Sequence, residues 1–413
     1  MKFQKAITTC GAPLYVFPMP HVDSVAIGVL VHAGTRDERP SEHGIAHALE
    51  HMVFQGNERL PSSQAIASEI ETIGGNLNAF TSQEMTFYFR VVPDEALHVG
   101  VDSLASQLTT SLFREKNIES EMRNVVQEIK RAHDNHVGFC GRLFNKTIFG
   151  ESALGKDVLG TEQSVLGFCR DDFLKFSHDF YHPENYTFIV IGKTSVQKAL
   201  SVFNRAFSKT LKDRTKNVRI DDRRIFPRGV HNNVVRDIAQ ANIYLGTAID
   251  SPSGDERKAL EFYTKMIDGG MSFPLFQEVR DKRGLCYAVH AGLDTFTDCE
   301  VFEVYVGTEP SRVQEAITCI HEVVAQSCTE ELFKRARTYL LGHNKVSLFS
   351  DPVAILTQAA RDIVLLGEPR SPAEFRRDIE KQTLEGVRGA VERHLLDPNT
   401  YSYAYVGPPG TKV

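Results

Sequence analysis

Two well-separated stretches of the chain repeat at one fixed spacing. Tyr181-His182-Pro183-Glu184-Asn185 and the run to Gly192 are echoed by Leu395 to Gly407, and Pro183 and Pro398, like Gly192 and Gly407, stand 215 residues apart. The same offset of 215 carries Phe87-Tyr88-Phe89-Arg90-Val91 onto Phe302-Glu303-Val304-Tyr305-Val306, two alternating runs that each lead into a Pro-containing turn and an amphipathic stretch. Agreement at one offset in two distant places indicates duplication, so the chain should fold as two copies of one unit. Its length agrees: 413 residues exceed what a single hydrophobic core usually organises. Residues 211–224 are mostly charged or polar, and Pro227 and Gly229 follow, which is the signature of a linker. The expected division is 1–210, a linker at 211–229, and 230–413.

Within the first copy, residues 25–31 form an unbroken apolar run that reads as a buried strand. Strands are expected at 76–80, 84–92 and 187–192. Helices are expected at 63–73, stopped by Gly74-Gly75, and at 95–110 and 118–133. Strands interspersed with helix pairs indicate an α+β fold: two homologous domains, each a β-sheet with helices packed on one face.

Composition narrows the function. Hydrophobic residues make up 42% and charged residues 24%, ordinary for a globular protein, and no apolar run approaches the length of a membrane span. No membrane association is expected. A net charge of -6 offers no basic excess for a phosphate backbone, so no nucleic acid is expected either. The seven cysteines are scattered, without a Cys-x-x-Cys pair, as befits reduced thiols. The opening residues lack the apolar run and cleavage site of a signal peptide, which makes the cytoplasm the expected location.

The chemistry is concentrated in Gly44-Ile45-Ala46-His47-Ala48-Leu49-Glu50-His51-Met52, which contains His-x-x-Glu-His. Residues four apart on a helix share a face, so His47 and His51 can approach one metal while Glu50 stands close enough to act on a water there. Among fifteen histidines such a pair arises by chance. The glutamate in its fixed place, on a stretch that opens like a helix after Ser41-Glu42-His43-Gly44, favours a zinc hydrolase centre over a surface pair. Farther on, Ile118, Met122, Val125 and Ile129 form an apolar helical stripe, and Glu121 and Glu128, seven apart, share another face. Taken alone, those acids read more readily as a solvated face, the commoner fate of helical glutamate. Nothing in that helix ties them to the histidines.

The run from Gly44 to Gly56, with Glu128 following His51 after 76 intervening residues, resembles the pitrilysin-type (inverzincin, M16) metallopeptidases. The likeness is to the two-domain subfamily that includes the catalytic subunit of mitochondrial processing peptidase and its bacterial relatives. It extends over nearly the whole chain. Gly74-Gly75-Asn76-Leu77-Asn78-Ala79-Phe80-Thr81-Ser82 is similar to the family's substrate-binding strand, and Gly269-Gly270-Met271-Ser272, with Leu275 to Tyr287, to its second-half signature. Phe273-Pro274 departs from the small or basic residues common at that point.

The resemblance implies one zinc ion per chain, held by His47, His51 and Glu128, with Glu50 as general base. It also implies that Glu121 orients a ligand histidine. Asn78, Ala79 and Phe80 would receive peptide substrate as an added strand, a mode that selects extended backbone over sequence. Arg280 and Tyr287 would hold the substrate carbonyl and stabilise its developing charge. Residues 258–266 contain no histidine, so only the first copy should bind zinc. Family members of this length pair to enclose a chamber. The presence of both the zinc set and Arg280/Tyr287 in one chain implies a homodimer that cleaves unfolded or short peptides, the second-half residues acting in trans. Two other readings remain open: a catalytically silent scaffold, and one subunit of a heterodimeric processing peptidase.

Overall fold

The computed structural model describes residues 2–208 and 226–410, so most of the expected linker at 211–229 lies outside the described residues. The first sheet contains β1 (Gln4–Ile7), β2 (Pro13–Pro18), β3 (Ser24–Val31), β4 (Asn76–Thr81), β5 (Thr86–Pro93) and β6 (Tyr186–Gly192). Their order is β1-β2-β6-β3-β5-β4. A second sheet contains β7 (His231–Val235), β8 (Ala241–Asp250), β9 (Cys286–Thr295), β10 (Cys299–Thr308) and β11 (Ser402–Gly407), ordered β7-β11-β8-β10-β9.

Without β1, the two orders match strand for strand. So do the directions: β2 with β6 and β7 with β11 are parallel, and the other shared pairings are antiparallel. The stretches that repeat at the 215-residue offset fall on matching strands, β5 with β10 and β6 with β11. The fold is α+β and duplicated, as the repeat implies.

The early helices are α1 (Ile45–Met52), α2 (Ser63–Glu71), α3 (Leu97–Thr109), α4 (Glu115–Asp134) and α5 (His136–Phe149). On one face of the first sheet, Val16, Val25, Ile27, Val29 and Val190 pack against Leu49 of α1, Leu104 of α3 and Val125 of α4. Phe173 and Phe203, from the helices Arg170–Phe180 and Val196–Ala206, complete that core.

Helices on a single face are not the whole arrangement. On the reverse face of the first sheet, Tyr15, Phe17, Ala26, Leu30, Ile189 and Ile191 are buried under Ile355, Leu356, Ala359 and Ile363 of the helix Pro352–Leu366. On the reverse face of the second sheet, Ala248, Val301, Ala404 and Val406 are buried under Cys140, Phe144 and Ile148 of α5. The cause is visible in β3, where apolar side chains alternate onto both faces; a strand of that kind needs cover on both. Gly28 lets the layers close, because a Cβ there would come within 2.3 Å of the Phe87 ring and 3.3 Å of Leu356.

Compact units follow this packing and not the contiguous boundaries expected from the repeat. One unit is Met1–Lys130, Lys156–Asp222 and Ser347–Ala373; the other is Arg131–Gly155, Arg223–Val346 and Glu374–Val413. The division at 1–210 and 230–413 is thus corrected at two places. α5 belongs with the second sheet, and the helix Pro352–Leu366 with the first. No helix among the described residues is long and apolar enough to cross a membrane.

Leu356 is fully buried in the first unit. Leu356→Ala is expected to cost about 2–5 kcal/mol. Amide exchange should rise in β3 and β6 more than in β8 and β10; an equal rise in both sheets would contradict the assignment of this helix.

Candidate metal centre

α1 is only eight residues long, and both of its ends are tied down. Its N-cap, Gly44, has φ +91°, and a Cβ there would come within 2.8 Å of Gly160 Cα. Glycine has no side chain to cap the helix, so Glu38 does this from outside. Its carboxylate accepts the N–H groups of Gly44 at 2.9 Å and Ala46 at 3.0 Å. At the other end, Gln107 Nε2 donates to the carbonyl of Val53 at 3.3 Å and is itself bonded, through Oε1, to the buried guanidinium of Arg90. Ile45, Ala48, Leu49 and Met52 enter the core. His47, Glu50 and His51 are left to meet side chains from β4 and α4.

The two imidazoles lie with ring centroids 4.7 Å apart. Glu121 and Glu128 on α4 are two turns apart, roughly 10.5 Å along the axis, and they reach the two nitrogens of one ring. Glu121 Oε1 is 2.9 Å from His51 Nδ1, and Glu128 Oε2 is 3.5 Å from His51 Nε2. Gln55 Nε2 at 2.8 Å and Asn124 Nδ2 at 3.2 Å both donate to Glu121 Oε2, leaving Oε1 to accept from Nδ1. A neutral His51 therefore turns the lone pair of Nε2 toward Glu128.

His47 completes the group: its Nε2 lies 3.8 Å from the same Glu128 oxygen. Ligand atoms of His47, His51 and Glu128 all lie within 4.8 Å of one another, and this is the one such group among the described residues. His47 is 7% exposed, and its Nδ1 is buried without a hydrogen-bond partner. Two ring nitrogens converge on one carboxylate oxygen, an arrangement that a cation standing among them would satisfy. Two nitrogens and one carboxylate form a donor set suited to zinc, so the residues present fit the metal.

The electrostatics of the two rings run in opposite directions. Burial, reinforced by the neighbouring His51, pulls His47 down to about 4, which keeps it neutral as a ligand must be. Burial also opposes charge on His51, but its bonds to Glu121 and Glu128 and the charges of Glu50 and Glu121 outweigh it and push the ring up to about 9. The pocket around His51 is thus built to hold positive charge. Burial raises Glu50 above the ordinary carboxylate range, against the opposing effects of Thr81 and His51. Thr81 Oγ1 donates to Glu50 Oε2 at 2.6 Å.

The residues expected to receive substrate lie on β4, the terminal strand of its sheet. Leu77 and Ala79 pack toward the core that contains α1, while Phe80 packs on the reverse face, its ring 5.7 Å from that of Phe87. Asn78 Oδ1 accepts the N–H of Ala79 at 2.9 Å. Arg280 and Tyr287 stand together in the second unit. Arg280, on the π-helical segment Leu275–Lys282, lies 4.9 Å from the Tyr287 ring centre and 4.8 Å from that of Phe276. Tyr287 is 77% exposed.

Sequence reasoning missed Glu38, Gln55, Thr81 and Asn124 as supports of the site. Gln55 and Asn124 had a signal, because they stand four and three residues from His51 and Glu121 on helical or near-helical backbone. Thr81 lay inside the strand already singled out. Glu38 had none, since the irregular turns between it and α1 carry no periodicity.

Known proteins resemble this chain along most of its length. Residues 18–162 match the family described as Insulinase (Peptidase family M16), and residues 168–340 match the Peptidase M16 inactive domain. An uncharacterised zinc protease of Streptomyces coelicolor is 32% identical over 96% of this chain and 88% of its own length. One from Bacillus subtilis is 29% identical over 97% of this chain and 98% of its own. Among solved structures, a protease from Helicobacter pylori superposes with a TM-score of 0.89 at 19% identity, over 98% of this chain and 99% of that one.

Burial pushes Glu38 up to about 8 despite its two N–H donors. The folded chain therefore keeps a proton there that the unfolded chain releases above its ordinary value of 4.5. Stability from this group should fall as pH rises from about 4.5 to about 8. Glu38→Gln should flatten that part of the curve in urea denaturation; an identical slope would contradict it.

Proposed function

The chain belongs to the pitrilysin-type peptidase family M16, and from that premise we propose that it is a zinc-dependent endopeptidase or oligopeptidase acting on unfolded or short peptides. The observation that carries the reading is the meeting of His47, His51 and Glu128 within 4.8 Å, with Glu50 one residue from a ligand. Zinc, when bound there at one ion per chain, supplies a Lewis acid that polarises a peptide carbonyl and makes water acidic enough to give up a proton near neutral pH.

The chain's own residues do the rest. Glu50 takes the proton from the attacking water and returns it to the departing amine. Its raised proton affinity suits both steps, because a base that is too weak cannot remove the proton and one that is too strong cannot release it. Glu121 keeps the His51 ring in one orientation through Nδ1. Asn78, Ala79 and Phe80 on edge strand β4 receive an extended peptide by backbone pairing. Arg280 and Tyr287 supply a cation and a phenol donor for the charge that develops on the carbonyl oxygen.

Two copies of the chain enclose the substrate, each contributing Arg280 and Tyr287 to the other's zinc site. Presence of both sets in one sequence favours this homodimer over a heterodimeric processing enzyme or a silent scaffold. Seven free thiols suit a reducing compartment, the cytoplasm.

Glu50→Gln should retain zinc and lose turnover of a quenched peptide by roughly 100-fold or more, whereas His51→Ala should lose the metal itself, as read by metal analysis. Full activity in purified Glu50→Gln would remove the proposed base. For the dimer, sedimentation at micromolar concentration should give twice the chain mass; a monomer with full peptidase activity would overturn it.

A further inference from the structure

We infer that the hydroxyl of Thr81 is a positioning group for Glu50: it aims one carboxylate oxygen and leaves the other free for the attacking water. This rests on the role of Glu50 proposed above. Glu50 stands at the end of a flexible side chain on a short helix, and among the described residues Thr81 is the side chain hydrogen-bonded to it. The bond runs from Thr81 Oγ1 to Glu50 Oε2 at 2.6 Å, leaving Oε1 without that constraint.

Thr81 is suited to the task by what holds it. It is the last residue of β4, pairs with Thr86 of β5, and is followed by a tight turn in which Ser82 N–H donates to Met85 O at 2.8 Å. A β-branched side chain on a strand has few χ1 choices, so the direction of the hydroxyl follows from the backbone. Strand alternation puts Thr81 on the same side as Leu77 and Ala79, which pack toward the core containing α1. The donor is thus fixed by the sheet and the acceptor by the helix, and the angle of the carboxylate is set where they meet. Thr81 touches no reacting atom; it acts through Glu50.

Thr81→Val keeps the shape and removes the donor, while Thr81→Ser keeps the donor. On an extended peptide that the wild type cleaves, T81V is expected to lose roughly tenfold or more in kcat, with KM and zinc content within about twofold of wild type. T81S should recover most of that loss. Crystal structures of both variants give a reading free of turnover: Glu50 should leave its wild-type rotamer in T81V and keep it in T81S. An unmoved Glu50 in T81V, an unchanged kcat, or T81S as impaired as T81V would each overturn the role. A wild type that carries zinc yet cleaves no peptide would sink the peptidase reading instead, and the rotamer comparison would still decide the part played by Thr81.

Discussion

The imidazole of His51 is held between two carboxylates of a single helix, and the candidate centre depends on that clamp. Glu121 and Glu128 stand seven positions apart on α4, so one reaches Nδ1 and the other Nε2 of the same ring. The first contact sets where the proton sits, and the second aims a lone pair and a carboxylate at one point. With His47 directed at the same oxygen, two ring nitrogens and a carboxylate converge on one point as a cation's donor set. Glu121 is in turn fixed by Asn124 from its own helix and by Gln55, whose amide ties the chain just past α1 to α4.

Such a clamp works only if α1 cannot slide. An eight-residue helix has little stability of its own, and this one takes its position from neighbours. Glu38 meets the N–H groups of Gly44 and Ala46, Gly44 allows the chain to press against Gly160, and Gln107 meets the carbonyl of Val53 at the C-cap. These groups make no contact with the expected metal, yet they decide whether His47 and His51 face it together. Thr81 extends the same logic to Glu50 by tying the proposed base to the edge of the sheet.

The two sheets share one topology, but only the first unit among the described residues carries a His/His/Glu group. The second unit carries Arg280 and Tyr287 together, the guanidinium 4.9 Å from the ring centre. Duplication therefore supplied a scaffold twice and chemistry once. The exchange of α5 and the helix Pro352–Leu366 means that each sheet's reverse face is closed by chain from the other half of the sequence. Neither half could bury its own sheet completely without that exchange.

The sequence alone determined whatever depends on local period or fixed spacing. Alternation located β5 and β10, the 215-residue offset identified them as equivalents, and i, i+4 spacing put His47 and His51 on one face. The resemblance supplied Glu128, which the α4 pattern alone could not separate from a solvated acid. Tertiary structure decided the rest: Glu38 at the head of α1, Thr81 against Glu50, and which helix covers which sheet face. An apolar stripe on the helix Pro352–Leu366 says that one side will be buried, but hydrophobic burial has no direction. Its partner was therefore chosen by the shape left open between Gly28, Phe87 and Ile189.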